Sequence, residues 1–293
     1  MVLTLHGQVT LHANVLSDVR IANAAGYRAL EVHTDKLKRF LDAGRSAEEL
    51  RDALNEYDVD AAAIDIIGDV EVTGARARQD LFATTERLCS VAETIGAPTI
   101  QVNAFSALDG MTIDDVISVT ASNLREIAII GESSGIRFQF EGAAWTPIHS
   151  LADCLRLVDA VGRPNFGLVI DFWHFWASRG ATPEEIARLD PEIIYGVHLC
   201  DGRRPAEGEA WPDETLLRGD LPGDGDLPVQ EWVDAVKATG FDGFVSGEFL
   251  NPYLWERDHL EVATAMRVAM ERFLQAVPKK RGGTGLPPPH SRA

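Results

Sequence analysis

The stretch VIDFWHFW, Val169–Trp176, decides how this chain is read. Val169 and Ile170 suit a buried strand of a parallel sheet, and the aromatics that follow are costly to leave in water. Asp171 and His174 interrupt that run with a carboxylate and an imidazole, groups that an apolar strand accepts only when something neutralises or hydrogen-bonds them. Outward from this stretch, short β-type runs alternate with helical patterns along the whole chain. The strand candidates are VLTLH (2–6), ALEVH (29–33), AAAIDII (61–67), TIQVNAF (99–105), IRFQFE (136–141), FGLVIDF (166–172), IYGVHLC (194–200) and FVSGEFL (244–250). Between them, LFATTERLCSVAETIG, DDVISVTASNLREIAIIGESSG and PVQEWVDAVKATG repeat apolar residues at helical spacing and end in a glycine, where a helix C-cap belongs.

Near-continuous apolar strands alternating with helices imply a parallel sheet covered by helices. Eight such units within residues 1–278 match a single-domain α/β protein, the (β/α)8 TIM barrel, whose usual size is about 250 residues. The competing doubly wound sheet would carry a Gly-rich phosphate turn after its first strand, and HGQVTLHANV contains neither GxGxxG nor GK[ST]. Residues 279–293, KKRGGTGLPPPHSRA, combine glycine, proline and charge without period and are expected to form a disordered tail. The long segment 200–228, rich in Gly, Pro and Asp, would follow the seventh strand on the face where barrel active sites form.

The 293 residues are 45% apolar and 25% charged, a globular composition with a formal net charge of −18. That charge repels polyanions, so neither nucleic acid nor an anionic membrane is expected as a partner. Cys89, Cys154 and Cys200 lie far apart, without disulfide or thiolate-zinc spacing, which suits buried thiols in a reducing compartment. No secretory signal pattern opens the sequence, and no run approaches the ~18 apolar residues of a membrane helix. A cytoplasmic location is the expectation.

Barrel active sites form at the C-terminal ends of the strands. The fifth candidate strand ends in Glu141, the sixth reaches Asp171, the seventh carries His198, and the eighth contains Glu248 near its end. Three carboxylates and one imidazole on one rim form a hard donor set for a divalent ion, Mn2+ or Mg2+ first, with Co2+, Zn2+ and Fe2+ compatible. Without a cation, like charges that close would be forced toward protonation. Each residue taken singly could instead cap a helix, pair with an arginine or face solvent; their coincidence on four successive strands favours the metal reading.

The constellation FQFEG, VIDFWH, VHLCDGRR and SGEF resembles the xylose isomerase-like barrel superfamily of sugar phosphate isomerases and epimerases, most specifically from Gly135 to Leu250. That superfamily includes ketose 3-epimerases, inosose isomerases and dehydratases, and 3-dehydroshikimate dehydratases. The resemblance assigns the metal ligands to Glu141, Asp171, His198 and Glu248, and proton exchange with substrate carbon to Glu141 and Glu248. It makes His174 and Arg204 substrate contacts. The alternatives are a core histidine bonded to a backbone carbonyl for His174 and a solvated loop charge for Arg204. Ketose 3-epimerases carry a second Glu six residues after the first, where this chain has Pro147, so 3-epimerisation of free ketoses is not implied. Trp145 could wall the substrate or anchor the loop on the rim. His6, His33, His12, Asp65 and Asn103 are weaker candidates to line the pocket.

The implied chemistry is carboxylate proton abstraction beside a carbonyl, giving a metal-stabilised enediolate. Returning the proton yields isomerisation or epimerisation of a sugar, keto-polyol or related small molecule; losing a β-hydroxyl yields dehydration. The abasic-site DNA endonuclease of the same superfamily fits less well. Its extra His ligands on middle strands and its further Asp-x-His have no counterpart here. Loops on related barrels often pair subunits, so a homo-oligomer is compatible.

Overall fold

The computed structural model describes residues 1–106, 108, 110–206, 215 and 217–275. The tail 279–293 and part of the segment 200–228 therefore lie outside the described residues. Eight strands, β1 (Val2–His6), β2 (Ala29–His33), β3 (Asp60–Ile67), β4 (Thr99–Val102), β5 (Arg137–Phe140), β6 (Phe166–Asp171), β7 (Ile194–His198) and β8 (Phe244–Gly247), close into one barrel in sequence order. Every neighbouring pair is parallel, including the closure of β8 onto β1 through Val2↔Phe244 to Leu5↔Gly247. This is a single-domain (β/α)8 barrel.

The helices behave as their sequences dictate. Ala75–Ile95 and Val229–Thr239 stop at Gly96 and Gly240, whose φ values of 76° and 88° place them in the left-handed region that a helix C-cap needs. Ile113–Glu132 starts from a Thr112/Asp115 capping box. Among the described residues, no helix is long and apolar enough to cross a membrane.

Several strands are shorter than their apolar runs suggest. β5 ends at Phe140 and β8 at Gly247, so Glu141 and Glu248 each stand one residue beyond the sheet. β4 ends at Val102 rather than Phe105. β6 stops at Asp171, and FWHFWA is not strand but the helix Phe172–Ala177. The cause is Asp171 itself: its Oδ1 accepts the His174 amide hydrogen at 2.7 Å, an N-cap that turns the chain out of the sheet.

Inside the barrel, Ala29, Ala62, Ala63 and Phe244 form a small apolar cluster of their own. The buried Gln139 and Gln101 begin a polar column, with Gln139 Nε2 donating to Gln101 Oε1 at 3.0 Å and Gln101 Nε2 donating to Glu141 Oε2 at 3.2 Å. The barrel axis thus passes from apolar packing into a ladder of amides that ends on the first carboxylate of the rim.

Candidate metal centre

Glu141, Asp171, His198 and Glu248 come together from the ends of β5, β6, β7 and β8. Each offers one donor atom, and these atoms all lie within 4.8 Å of one another. His198 Nδ1 stands 3.2 Å from Glu141 Oε1, 3.7 Å from Asp171 Oδ2 and 2.8 Å from Glu248 Oε2. Glu141 is held by its other oxygen: Gln101 and Asn103 donate to Oε2, which leaves Oε1 facing the cluster. Asp171 divides its oxygens likewise, with Oδ1 capping the helix and Oδ2 facing inward.

The other face of His198 meets Glu31, which lies 3.4 Å from Nε2 through Oε1 and 3.3 Å through Oε2. Glu31 in turn accepts a hydrogen bond from Ser246 Oγ at 2.6 Å. A carboxylate behind an imidazole fixes the proton on the nitrogen it faces, here Nε2, and leaves Nδ1 free to bind a metal ion.

One cation already belongs to this centre. The buried Arg218 donates through Nη2 to Asp171 Oδ2 and, at 2.6 Å, to Glu248 Oε2, and its Nη1 lies 3.0 Å from His174 Nε2. Burial pushes the Asp171 and Glu248 carboxyls up, but Arg218, with the imidazoles around them, outweighs it and holds both well below the usual carboxylate range. Burial would lower His198; Glu31 and Glu248 overcome that and raise it well above an ordinary histidine. At Asp65 the balance falls the other way: burial, then Glu248 and Glu31, outweigh His198 and raise its carboxyl well above the normal value.

The remaining sequence candidates divide. His174 lies in the centre's wall: its Nδ1 accepts from the Ala144 amide at 3.2 Å, rather than bonding a carbonyl, and its Nε2 is 3.8 Å from Glu141 Oε1. Trp145 packs edge-on against that ring, with centroids 5.2 Å apart. Arg204 stacks over Trp176, its guanidinium carbon 4.0 Å from the ring centroid, and Arg218 is the arginine that reaches the carboxylates. His6 and Asp65 adjoin the cluster, 3.5 Å apart. His33 caps the helix Thr34–Asp42 through the Asp35 amide. His12 is half exposed and pairs with Glu256 at 3.2 Å.

A model of the xylose isomerase-like TIM barrel matches residues 19–273. The chain belongs to this family. Among solved structures, the IolI protein with a bound zinc atom superposes with a TM-score of 0.86 at 21% identity, covering 94% of this chain and 98% of that one. Among curated relatives, the inosose isomerase of Halalkalibacterium halodurans is 21% identical over 271 residues, 92% of this chain and 93% of that protein. The inosose isomerase of Bacillus velezensis is 23% identical, covering 82% and 85%. A 3-dehydroshikimate dehydratase of Neurospora crassa is 25% identical over 55% of each chain.

The donor set of this family member fits a divalent ion. Carboxylates converge on one point with an imidazole that turns Nδ1 toward it, a nitrogen that can bind a cation once its proton is displaced. Glu31 and the Gln101–Asn103 amides hold the His198 and Glu141 side chains from behind.

Proposed function

We propose that this protein is a divalent-metal-dependent isomerase or epimerase of an inosose or related keto-polyol, with Glu141, Asp171, His198 and Glu248 holding the ion. The convergence of four donor atoms within 4.8 Å, from four successive strand ends, carries the reading. The inosose isomerases that match over most of both chains support the substrate class. Three oxygen donors and one nitrogen suit Mn2+ or Mg2+, and the zinc bound in the IolI structure supports Zn2+ as well.

The bound ion would supply Lewis acidity, polarising substrate oxygens and lowering the acidity barrier at the adjacent carbon. Glu248, held ionised by Arg218 and the imidazoles, takes the proton from that carbon. Glu141, oriented by two amides, stands across His198 from it and delivers a solvent-derived proton to the opposite face, whereas the proton on Glu248 is the one returned to the neighbouring carbon. The Arg218 guanidinium and His174 lie beside both and bind substrate oxygens, with Trp145 closing the wall behind His174. Arg204 sits further out over Trp176 and meets the distal end of the substrate. Return to the neighbouring carbon gives isomerisation, and return to the opposite face gives epimerisation.

Dehydration is the second reading, favoured by the likeness to the 3-dehydroshikimate dehydratase. The first step is the same; expulsion of a β-hydroxyl replaces the proton return.

Metal analysis followed by NMR in deuterated solvent, on a panel of inososes, keto-sugars and 3-dehydroshikimate, tests the proposal. Deuterium entering one carbon next to the carbonyl is the expected result, with an alkene product marking the lyase. Absence of exchange across the panel with the metal-loaded protein would overturn the reading.

A further inference from the structure

His6 ends β1 with its ring fully buried and facing the acidic cluster. The Gln8 amide donates to His6 Nδ1 at 3.0 Å. A backbone N–H can only donate, so Nδ1 carries the lone pair, and the neutral ring bears its proton on Nε2. That N–H has no hydrogen-bond partner. The nearest oxygens, Asp65 Oδ2 at 3.5 Å, Glu31 Oε2 at 3.7 Å and Glu248 Oε2 at 4.0 Å, surround it without accepting from it.

The ring is not free to seek an acceptor elsewhere. It meets His198 edge-on, with an interplanar angle of 89° and centroids 5.1 Å apart. The turn Gly7–Thr10 behind it is pinned by the buried Lys36, whose Nζ donates to the Gly7 and Thr10 carbonyls at 2.8 and 2.6 Å and pairs with Asp18. A fixed and unpaired donor is thereby presented beside Glu248. Buried polar groups are ordinarily bonded, and an exception at a site calls for a ligand that completes it.

We propose that His6, as a neutral imidazole, donates from Nε2 to a substrate oxygen next to the carbon that Glu248 deprotonates. This deepens the isomerase reading and rests on it. The oxygen gains negative charge as the proton leaves, and a donor aimed at that point is worth most in the transition state. The ligand class follows: a compound with oxygens on adjacent carbons, because a deoxy analogue would leave the donor unpaired and be rejected.

The test uses the full-length, metal-loaded protein, its His6→Phe and His6→Gln variants, and solvent deuterium exchange on the same panel. His6→Phe keeps a ring but no donor and should lower kcat/KM for exchange by ~100-fold, mostly in kcat. His6→Gln places an N–H near the lost Nε2 and should recover part of it. Two readouts do not depend on turnover. Zinc affinity by calorimetry should change by less than about threefold, since His6 is not among the ligands invoked. Long-range 1H–15N correlation on the metal-free protein should show the Nε2–H tautomer of His6.

An Nδ1–H tautomer, exchange undiminished in His6→Phe, or a tenfold loss of zinc affinity would each overturn the assignment while leaving wild-type exchange intact. No exchange by the wild type on any panel member would instead remove the isomerase reading, and this assignment with it.

Discussion

Glu31 Oε2 lies 3.3 Å from His198 Nε2, on the side of the imidazole away from the cluster of Glu141, Asp171 and Glu248. The pair joins β2 to β7 and keeps His198 Nδ1 turned toward the shared donor point. Removing the carboxylate frees both the ring orientation and the tautomer. Glu31→Ala should therefore weaken divalent-metal binding by about 10- to 100-fold. Glu31→Gln, which still accepts from Nε2–H, should weaken it less. Calorimetric titration of the two variants with Zn2+ checks the order; equal affinities for wild type and Glu31→Ala would count against the tautomer argument.

Arg218 is buried between Asp171 and Glu248 and balances them when no divalent ion is bound. Taking one partner out of a buried ion pair typically costs about 3–5 kcal/mol, since uncompensated charge stays behind. Arg218→Met should lower the melting temperature in the presence of chelator. Saturating Zn2+ should then raise it by more than it raises the wild type, because the ion takes over the neutralisation. Thermal unfolding of both proteins with and without metal decides the matter, and an equal metal-induced shift would show that Arg218 and the ion do not share the same carboxylates.

His33 gives a pH prediction outside the cluster. Its Nδ1 accepts the Asp35 amide and caps a helix, so protonation would destroy the cap. Burial, aided by His6 and Lys36, lowers its pKa to about 4 from 6.5. The unfolded chain then binds this proton more readily than the folded one. Its contribution is neutral above about 6.5, and stability falls as the pH drops from there toward 4. Denaturant unfolding across that window should show the loss, and His33→Asn, which retains a cap without a titrating ring, should flatten it. An NMR midpoint for His33 near the ordinary value would contradict the burial argument.

The barrel was legible because a parallel strand covered on both faces is largely apolar on both, and most of β1 to β8 approach such a run, with Gln101 in β4 and Gln139 in β5 as departures. Strand ends were less legible. The apolar content of FWHFW serves a helix as well as a strand, and only the Asp171 cap, three residues before the amide it accepts, marks the change. Glu31 was as visible as Asp171, a carboxylate in an apolar strand, but its role depends on β7 lying near β2 in space. Arg218 carries no local signal at all. It stands in a segment without period, twenty residues after His198, and the closed barrel alone brings it onto Asp171.

What delivers Arg218 can itself be tested. Asp201 is fully buried just beyond β7, and its carboxylate accepts from the amides of Gly223 at 2.8 Å, Gly225 at 3.1 Å and Leu227 at 3.0 Å. It thereby gathers the turn LPGDGDLP that follows Arg218. Gly225 is required at that approach, because a Cβ there would stand 2.3 Å from Asp201 Oδ1. Gly202 is required likewise, since its Cβ would fall 2.0 Å from the Leu217 carbonyl oxygen, beside Arg218. Asp201→Ala would leave those amides without their acceptor, at a cost of about 1–3 kcal/mol for each that stays buried. Arg218 would lose its fixed approach to Asp171 and Glu248. Deuterium exchange into substrate should then drop by more than ~10-fold, the scale on which small misplacements act. Zinc should bind no more weakly than to the wild type, and more tightly in so far as Arg218 has left Asp171 and Glu248, since the four candidate ligands stand on the rim of the barrel rather than in the turn. A loss of zinc binding as large as the loss of exchange would mean that the turn supports the ligands themselves and not the arginine.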